Sequence, residues 1–328
     1  LAAKESGVSA IIASDHAAMA YAKSINMPVH VSTQANVSNI DTVEFYAAFS
    51  DLMITSRELS LRQVKSITEE IKRRDMRGPS GNLVRIEAFA HGALCMAVSG
   101  KCYLSLHSHN SSANRGACIQ NCRKKYVVID KEEGTELEID NEYIMSAKDL
   151  CTIGFIPQLM DAGINVLKIE GRGRSADYVH TTVSCYREAV EAVMDGTYSE
   201  EKINGWMTRL STVFNRGFWD GYYLGQKLGE WNDTYGSKAT EKKVHVGKGV
   251  KYFKQIEVAE FQLESGSLKT GDKILVSGPT TGALYAMVDE LRLNGEPVES
   301  VKKGDNFSMP LPEMIRSSDR LYKVIDRE

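Results

Sequence analysis

Leu52-Met53-Ile54-Thr55 is a continuous apolar run, and the segment 59–74 that follows it repeats apolar residues at Leu59, Leu61, Val64, Ile67 and Ile71. A short apolar run of this kind is a strand buried on both faces, and the second pattern is an amphipathic helix. The same pair recurs on either side. Ala10-Ile11-Ile12-Ala13 precedes a helix over 17–24, and Val29-His30-Val31-Ser32 precedes one over 42–48. Segment 84–89 reads as the fourth strand and 143–146 as the fifth, with a helix over 153–161. Val166-Leu167-Lys168-Ile169 is the sixth, with a helix over 177–194.

Strands repeating every twenty or so residues, each with a helix between, are the βα units of a parallel sheet. A (β/α)₈ TIM-like barrel needs about eight units. The expectation is therefore an α/β barrel incomplete at its N-terminus, its first units lying before Leu1. The chain opens at Leu1 inside a helix-like stretch, with no signal peptide, and is read as N-terminally truncated. The alternative is an open doubly wound sheet, but no Gly-rich phosphate fingerprint follows any strand.

The 328 residues carry 40 Lys+Arg against 43 Asp+Glu, a net charge of −3, with 42% hydrophobic and 25% charged residues. That mix excludes long disorder and collagen-like repeats. No run of eighteen apolar residues is present, so no membrane partner is expected, and a cytoplasmic location is. The near balance argues against a uniformly basic nucleic-acid coat while leaving local patches open.

Sites on parallel sheets form at the carboxyl ends of strands. Those positions carry Asp15 and His16, Thr33 and Gln34, Arg57 and Glu58, His91, Lys148 and Asp149, then Lys168, Glu170, Arg172 and Arg174. Each alone reads as a cap or a solvated loop residue; their recurrence at six strand ends is what singles them out.

Segment 199–236 is helical and aromatic, with Trp206, Phe214, Phe218, Trp219, Tyr222, Tyr223 and Trp231, a pattern of interlayer packing first and base stacking second. Beyond it the texture turns all-β. Asn294-Gly295 is a hairpin turn, and Gly271-Asp272 and Gly304-Asp305 punctuate short strands, as in a small β-barrel. Segment 241–254 holds five lysines against one glutamate, the mark of a charge-protected edge strand or of a phosphate-facing surface. The expected domains are 1–198, an α/β barrel with a cysteine-bearing insertion; 199–240, a helical connector; and 241–328, a β-barrel.

Four of the six cysteines, Cys95, Cys102, Cys118 and Cys122, crowd one insertion between the fourth and fifth strands. With no secretion signal their thiols are expected to be reduced, which points to a metal rather than disulfides. Neither pair has the Cys-x₂-Cys spacing of zinc knuckles, so an iron–sulfur cluster leads, with zinc and unliganded thiols behind. Cys151 competes as a ligand, and Cys185 sits mid-helix on an apolar face and reads as core.

Here the sequence resembles a known family. Glu87-Ala-Phe-Ala-His91-Gly92-Ala-Leu-Cys95-Met-Ala-Val-Ser-Gly100-Lys-Cys102-Tyr-Leu-Ser105 resembles the signature of the collagenase-like peptidase family U32. The resemblance continues in Asn114-Arg115-Gly116-Ala-Cys118-Ile-Gln-Asn-Cys122-Arg123, Ser146-Ala-Lys148-Asp149-Leu, Leu167-Lys168-Ile-Glu170-Gly171-Arg172 and Phe214-Asn215-Arg216-Gly217-Phe218. His30-Val-Ser32-Thr33-Gln34-Ala-Asn36 also fits, while Val98 departs where members often carry an aromatic residue. The tail from Val244 resembles the second domain of translation elongation factor Tu.

The family includes prephenate-dependent hydroxylases of transfer RNA wobble uridine and of ribosomal RNA, and oxygen-independent ubiquinone hydroxylases. The resemblance implies a 4Fe–4S cluster on Cys95, Cys102 and Cys118, with Cys122 or Cys151 as the fourth ligand. It places candidate catalytic groups at His91, Glu87, Lys168 and Glu170. Gln34, Arg115, Arg172 and Arg174, with Lys168, form a candidate clamp for a small dicarboxylate such as prephenate, since guanidinium forks match carboxylates. Salt bridging to Glu170 and Asp177 is the structural alternative for these cations. Arg123, Lys124, Lys125, Lys248 and Lys251 are candidate RNA-phosphate contacts.

A peptidase would need a nucleophile with its base, or a catalytic metal. The sequence holds no His-Glu-x-x-His helix and no Gly-x-Ser-x-Gly elbow. His107-x-His109 is a weak metal pair, and a Cys95–His91 dyad leaves the other thiols unexplained. The sequence thus favours transfer RNA uridine 5-hydroxylation over collagenase-like peptidase activity. Ribosomal RNA cytidine hydroxylation and a non-catalytic RNA-binding metalloprotein stand as further readings.

Overall fold

The computed structural model describes residues 1–98, 102–115, 117–127, 145–226, 229–233 and 236–327. Contacts divide the chain into two compact units: 1–170 with 189–203 and 215–237, and 171–188 with 204–214 and 238–328.

The first unit opens with helix α1 (Ala2–Glu5), strand β1 (Ile11–Ala13) and helix α2 (His16–Ser24). Then come β2 (Val29–Val31), α3 (Ile40–Ala47), β3 (Leu52–Ile54), α4 (Leu61–Arg73) and the long β4 (Arg85–Ala93). The helices start where side chains satisfy their first amide groups. Asp15 accepts from the Ala18 amide at 2.8 Å, and Asn39 from the Thr42 amide at 2.8 Å. Ser60 and Gln63 form a reciprocal capping box on α4. Helix α4 buries Leu61, Val64, Ile67, Thr68 and Ile71 on one face. Gly163 turns at φ +76°, where a Cβ would stand 2.9 Å from the Cβ of Thr68 on that face, so only glycine fits.

Strands β1 to β4 are parallel and adjacent in chain order, as the repeated strand–helix pattern requires. Their core is Val29, Val31, Met53, Ile54, Ile86 and Ala88 against the helices. The remainder of the unit departs from the sequence expectation. Short α5 (Leu104–His109) lies in the cysteine-bearing insertion. Tyr143 and Ile144 of the expected fifth strand lie outside the described residues, and the strand that follows the insertion is β5 (Asp149–Cys151). It pairs with β4 antiparallel, His91 opposite Cys151, so it is no βα unit of the parallel series. After α6 (Ile156–Asp161), strand β6 (Val166–Ile169) returns parallel to β4, with Glu87 opposite Val166. Helices α7 (Ala176–Met194) and α8 (Glu200–Thr212) follow in the chain, residues 176–188 and 204–212 of them belonging to the second unit, and β7 (Phe218–Trp219) of the first unit pairs parallel with β5. The sheet order is β1-β2-β3-β4-β5-β7, with β6 on β4. Among the described residues these pairings do not close a barrel.

The second unit is mostly antiparallel. It contains β8 (Glu241–Phe253), β9 (Val258–Leu263), β10 (Ser267–Lys269), β11 (Lys273–Gly278), β12 (Gly282–Met287) and β13 (Leu291–Leu293). Strands β14 (Glu296–Val298), β15 (Ser300–Lys302), β16 (Asn306–Pro310) and β17 (Arg320–Asp326) complete it. Asn294 (φ 54°) and Gly295 (φ 90°) make the two-residue turn between β13 and β14, the double positive φ that this dipeptide accommodates. Phe261 and Phe307 stack at 5.6 Å in the core. The lysine-rich strand β8 is not an edge strand: β17 flanks it on one side and β9 on the other. Its charges are managed by pairing instead, Lys243 with Asp177 at 2.6 Å and Lys248 with Glu264 at 2.9 Å.

Candidate functional site

Strand β4 is the spine of the candidate site. Glu87, Phe89, His91 and, just beyond it, Cys95 follow one another along it, and the strand twists through an irregularity between Phe89 and His91. The Glu87 carboxylate is buried and accepts from Lys168 Nζ of β6 at 2.7 Å. A carboxylate taken out of water needs such a partner. The sequence therefore placed a lysine inside an otherwise apolar strand for a reason that lies 81 residues away. His91 is 1% exposed, its ring 5.6 Å from that of Phe218. The Glu170 amide donates to the His91 carbonyl at 2.8 Å, which ties the end of β6 to the same point.

Arg57 enters this edge from β3. Its guanidinium carbon lies 4.0 Å from the centre of the Phe89 ring, and Lys168 Nζ lies 6.0 Å from it. Burial pulls the Arg57 guanidinium below its ordinary value, opposed by the charges of Cys95, Glu170, Glu58 and Tyr223. It stays a cation regardless. Tyr223, fully enclosed, donates its hydroxyl to the Phe89 carbonyl at 2.7 Å. Burial raises its phenol far above the usual value.

The thiols fall into two environments. Burial raises Cys122, Arg123 opposes it, and the charges of Cys95, Cys118 and Cys102 add to the rise. The four thiols of the insertion thus share one neighbourhood. The Ser105 hydroxyl lies 3.9 Å from Cys118 Sγ and accepts from the Ile119 amide at 3.1 Å, which orders that loop. Cys151 faces elsewhere: it is buried in β5 opposite His91, and its charge acts on Tyr198. The donor set has the chemistry of a thiolate-bound metal or cluster. Among the described residues, however, no three His, Cys, Asp or Glu side chains stand at distances that would already hold a metal ion.

The remaining candidates are spread more widely. Gln34 is half-buried beside Ser14, at 3.4 Å. Arg115 and Arg172 are exposed, and Arg174 lies over Phe214 at 3.9 Å and Tyr178 at 5.3 Å. Arg123 donates to the carbonyls of Leu94 at 2.7 Å and Ala147 at 2.8 Å, bracing the insertion against the strand ends. Lys124 and Lys125 are exposed, and Lys251 lies over Phe253 at 4.9 Å. His109 contacts Ser108 and Asn121 rather than His107. Asp15, singled out at a strand end, is a helix cap. Lys148 pairs with Glu230 at 2.7 Å. Asp149, 1% exposed, accepts from the Arg216 amide at 3.1 Å and its guanidinium at 3.4 Å. No local feature marked that pair beyond the Asn215-Arg216-Gly217 motif. Nothing local marked Tyr223 either, since a buried tyrosine reads as packing.

Cys185 behaves as a core residue, fully buried with its thiol near the Trp206 carbonyl. Burial pushes its pKa up to about 11. A group raised so far stays protonated at pH 8, with a thiolate fraction of about a thousandth. Iodoacetamide at pH 8 is therefore expected to label the exposed Cys95 and leave Cys185 unmodified in the folded, cluster-free chain, as read by peptide mass mapping. Equal labelling of the two would contradict this placement.

A parallel-sheet unit with thiols, a buried acid–lysine pair and an enclosed guanidinium at one strand edge, on a chain that also carries an all-β unit, is the architecture of a multidomain α/β protein with a polar, thiol-rich site. The chain belongs to peptidase family U32, whose family model matches residues 2–233. A collagenase of Porphyromonas gingivalis is 58% identical over 327 residues, covering 100% of this chain and 79% of that protein. An uncharacterized protease of Methanocaldococcus jannaschii is 38% identical, over 98% of this chain and 78% of that one. The tRNA hydroxylation protein P1 of Bacillus subtilis is 31% identical over 77% of this chain and 58% of its own length. Among the described residues no helix is long and apolar enough to cross a membrane.

Proposed function

We propose that this chain is an RNA-modifying enzyme that installs a 5-hydroxyl on the wobble uridine of transfer RNA, with prephenate as co-substrate and a 4Fe–4S cluster as cofactor. The observation that carries the reading is the shared neighbourhood of Cys95, Cys102, Cys118 and Cys122, beside a buried Glu87–Lys168 pair. Peptide hydrolysis has no use for four thiols gathered in one insertion, whereas placing oxygen on a pyrimidine without flavin or haem calls for a redox centre. Cys95, Cys102, Cys118 and Cys122 would hold the cluster, with Cys151 set apart against Tyr198. When bound, the cluster would supply electron transfer. Glu87 and Lys168, 2.7 Å apart, are placed to move a proton at the Lys168 Nζ, and His91 follows on the same strand opposite Ile169. The relative named as a tRNA hydroxylation protein supports transfer RNA as substrate. Exposed Lys124 and Lys125 and strand β8 offer it cations.

The second reading is collagenase-like proteolysis, favoured by the name of the 58% identical relative. Among the described residues β4 and β5 set Cys151 opposite His91, and both are buried, at 5% and 1% exposure, away from a polypeptide chain. Nucleoside mass spectrometry of transfer RNA from a strain lacking the gene separates the two. Loss of 5-hydroxyuridine derivatives, restored by the parent gene, supports hydroxylation. An unchanged nucleoside profile together with gelatin cleavage by the purified protein rejects it in favour of the peptidase.

A further inference from the structure

We propose that Arg57 is the anchor for a carboxylate group of a small-molecule substrate at the carboxyl edge of β3 and β4. The inference rests on the hydroxylase reading and names a residue for its carboxylate co-substrate.

Among the cations at this edge, Arg57 has Cys95, Glu170 and Glu58 as charge neighbours but no hydrogen bond from its buried Nε. Among the described residues no ion pair or hydrogen bond holds the rest of the guanidinium. Lys168 is already held by Glu87 at 2.7 Å, and Arg123 is bound to two carbonyls. Arg115 and Arg172 are exposed. Arg123 and Arg174 also bury an Nε without a hydrogen bond, but Arg123 is engaged by two carbonyls and Arg174 lies on the rings of Phe214 and Tyr178, whereas Arg57 follows β3 and shares the Phe89 ring with Lys168, the partner of Glu87.

Desolvating a guanidinium without a partner is costly, and arginine cannot escape the cost by losing its proton as lysine does. Such a group persists when something absent from the free chain completes it. The guanidinium carbon lies 4.0 Å from the centre of the Phe89 ring, and Lys168 Nζ lies 6.0 Å from the same centre. Tyr223 fixes that segment by its bond to the Phe89 carbonyl. A planar fork held against an aromatic face, with its Nε free, suits bidentate capture of a carboxylate. The bound group would then lie close to Glu87, Lys168 and Cys95. An alternative occupant is the thiol cluster itself, since Cys95 is a charge neighbour of Arg57.

The test uses the full chain, reconstituted anaerobically, with equilibrium binding of prephenate, phenylpyruvate and malonate to the parent, Arg57→Gln and Arg57→Lys. At least one of the three is expected to bind the parent and to lose about tenfold or more in affinity in Arg57→Gln, with Arg57→Lys between them. Iron content is expected to be unchanged, and the melting temperature of Arg57→Gln to be unchanged or raised, because an uncompensated buried charge has been removed. Equal affinity in parent and Arg57→Gln overturns the anchor, as does a failure of all three to bind the parent. Loss of iron in Arg57→Gln overturns it too, by assigning Arg57 to the cluster. Arg57-dependent binding of malonate without any binding of prephenate upholds the anchor while removing prephenate from the proposed function.

Discussion

The Cys118→Ser variant is expected to retain less than roughly a tenth of the iron and acid-labile sulfide that the parent chain takes up on anaerobic reconstitution. Cys122→Ser is expected to do the same, and Cys151→Ser and Cys185→Ser to retain iron at the parent level. The asymmetry follows from position. Cys122 shares its surroundings with Cys95, Cys102 and Cys118, whereas Cys151 is buried in β5 and Cys185 in a helix core. Iron and sulfide assays with the visible absorption of the reconstituted protein read the result. Full iron uptake by Cys118→Ser, or stoichiometric zinc in place of iron in the parent, contradicts the cluster.

Asp149→Ala is expected to destabilise the first unit by about 3–5 kcal/mol. The Asp149 carboxylate is 1% exposed, and its partner Arg216 has a side chain 10% exposed, so removing the acid leaves a buried guanidinium. Arg216 also donates to the Gln120 side chain at 3.4 Å. The bond from Asp149 to the Arg216 amide is lost as well, just before β7, where Trp219 is buried and reports the change by fluorescence. Urea denaturation of the parent, Asp149→Ala and Asp149→Asn checks it, with the asparagine variant falling between. A loss of less than about 1 kcal/mol in the alanine variant would mean that the pair behaves like a surface ion pair.

The parts of the fold legible in the sequence are those set by local pattern. Continuous apolar runs gave β1 to β3 and β6 to within a residue or two, whereas the caps that start the helices, Ser60 with Gln63 and Asp15 before α2, emerged only in the structure. The Asn294-Gly295 turn was legible because two successive positive φ angles admit few residues. Strand β5 was not. Asp149-Leu150-Cys151 opens on a charged residue that is tolerated only because Arg216 answers it 67 residues later, and its antiparallel register is imposed by β4. The lysines of β8 suggested an edge, yet the strand is paired on both sides and two of them, Lys243 and Lys248, are met by Asp177 and Glu264.

The candidate site divides the same way. Its residue types were legible, because thiols, a buried acid and strand-end cations are rare enough to stand out. The sequence by itself determined the alternation of strands and helices, the change to all-β texture near residue 240, and the gathering of four cysteines in one insertion. These depend on periodicity and composition within a few turns of chain. Only the tertiary structure decided which cation answers which acid, that Lys168 belongs to Glu87 and Arg216 to Asp149, and that Arg57 rests on Phe89 with its Nε unanswered. The reason is that a buried charge is settled by whatever the sheet brings within about 4 Å of it, and that distance is set by strand register rather than by separation along the chain.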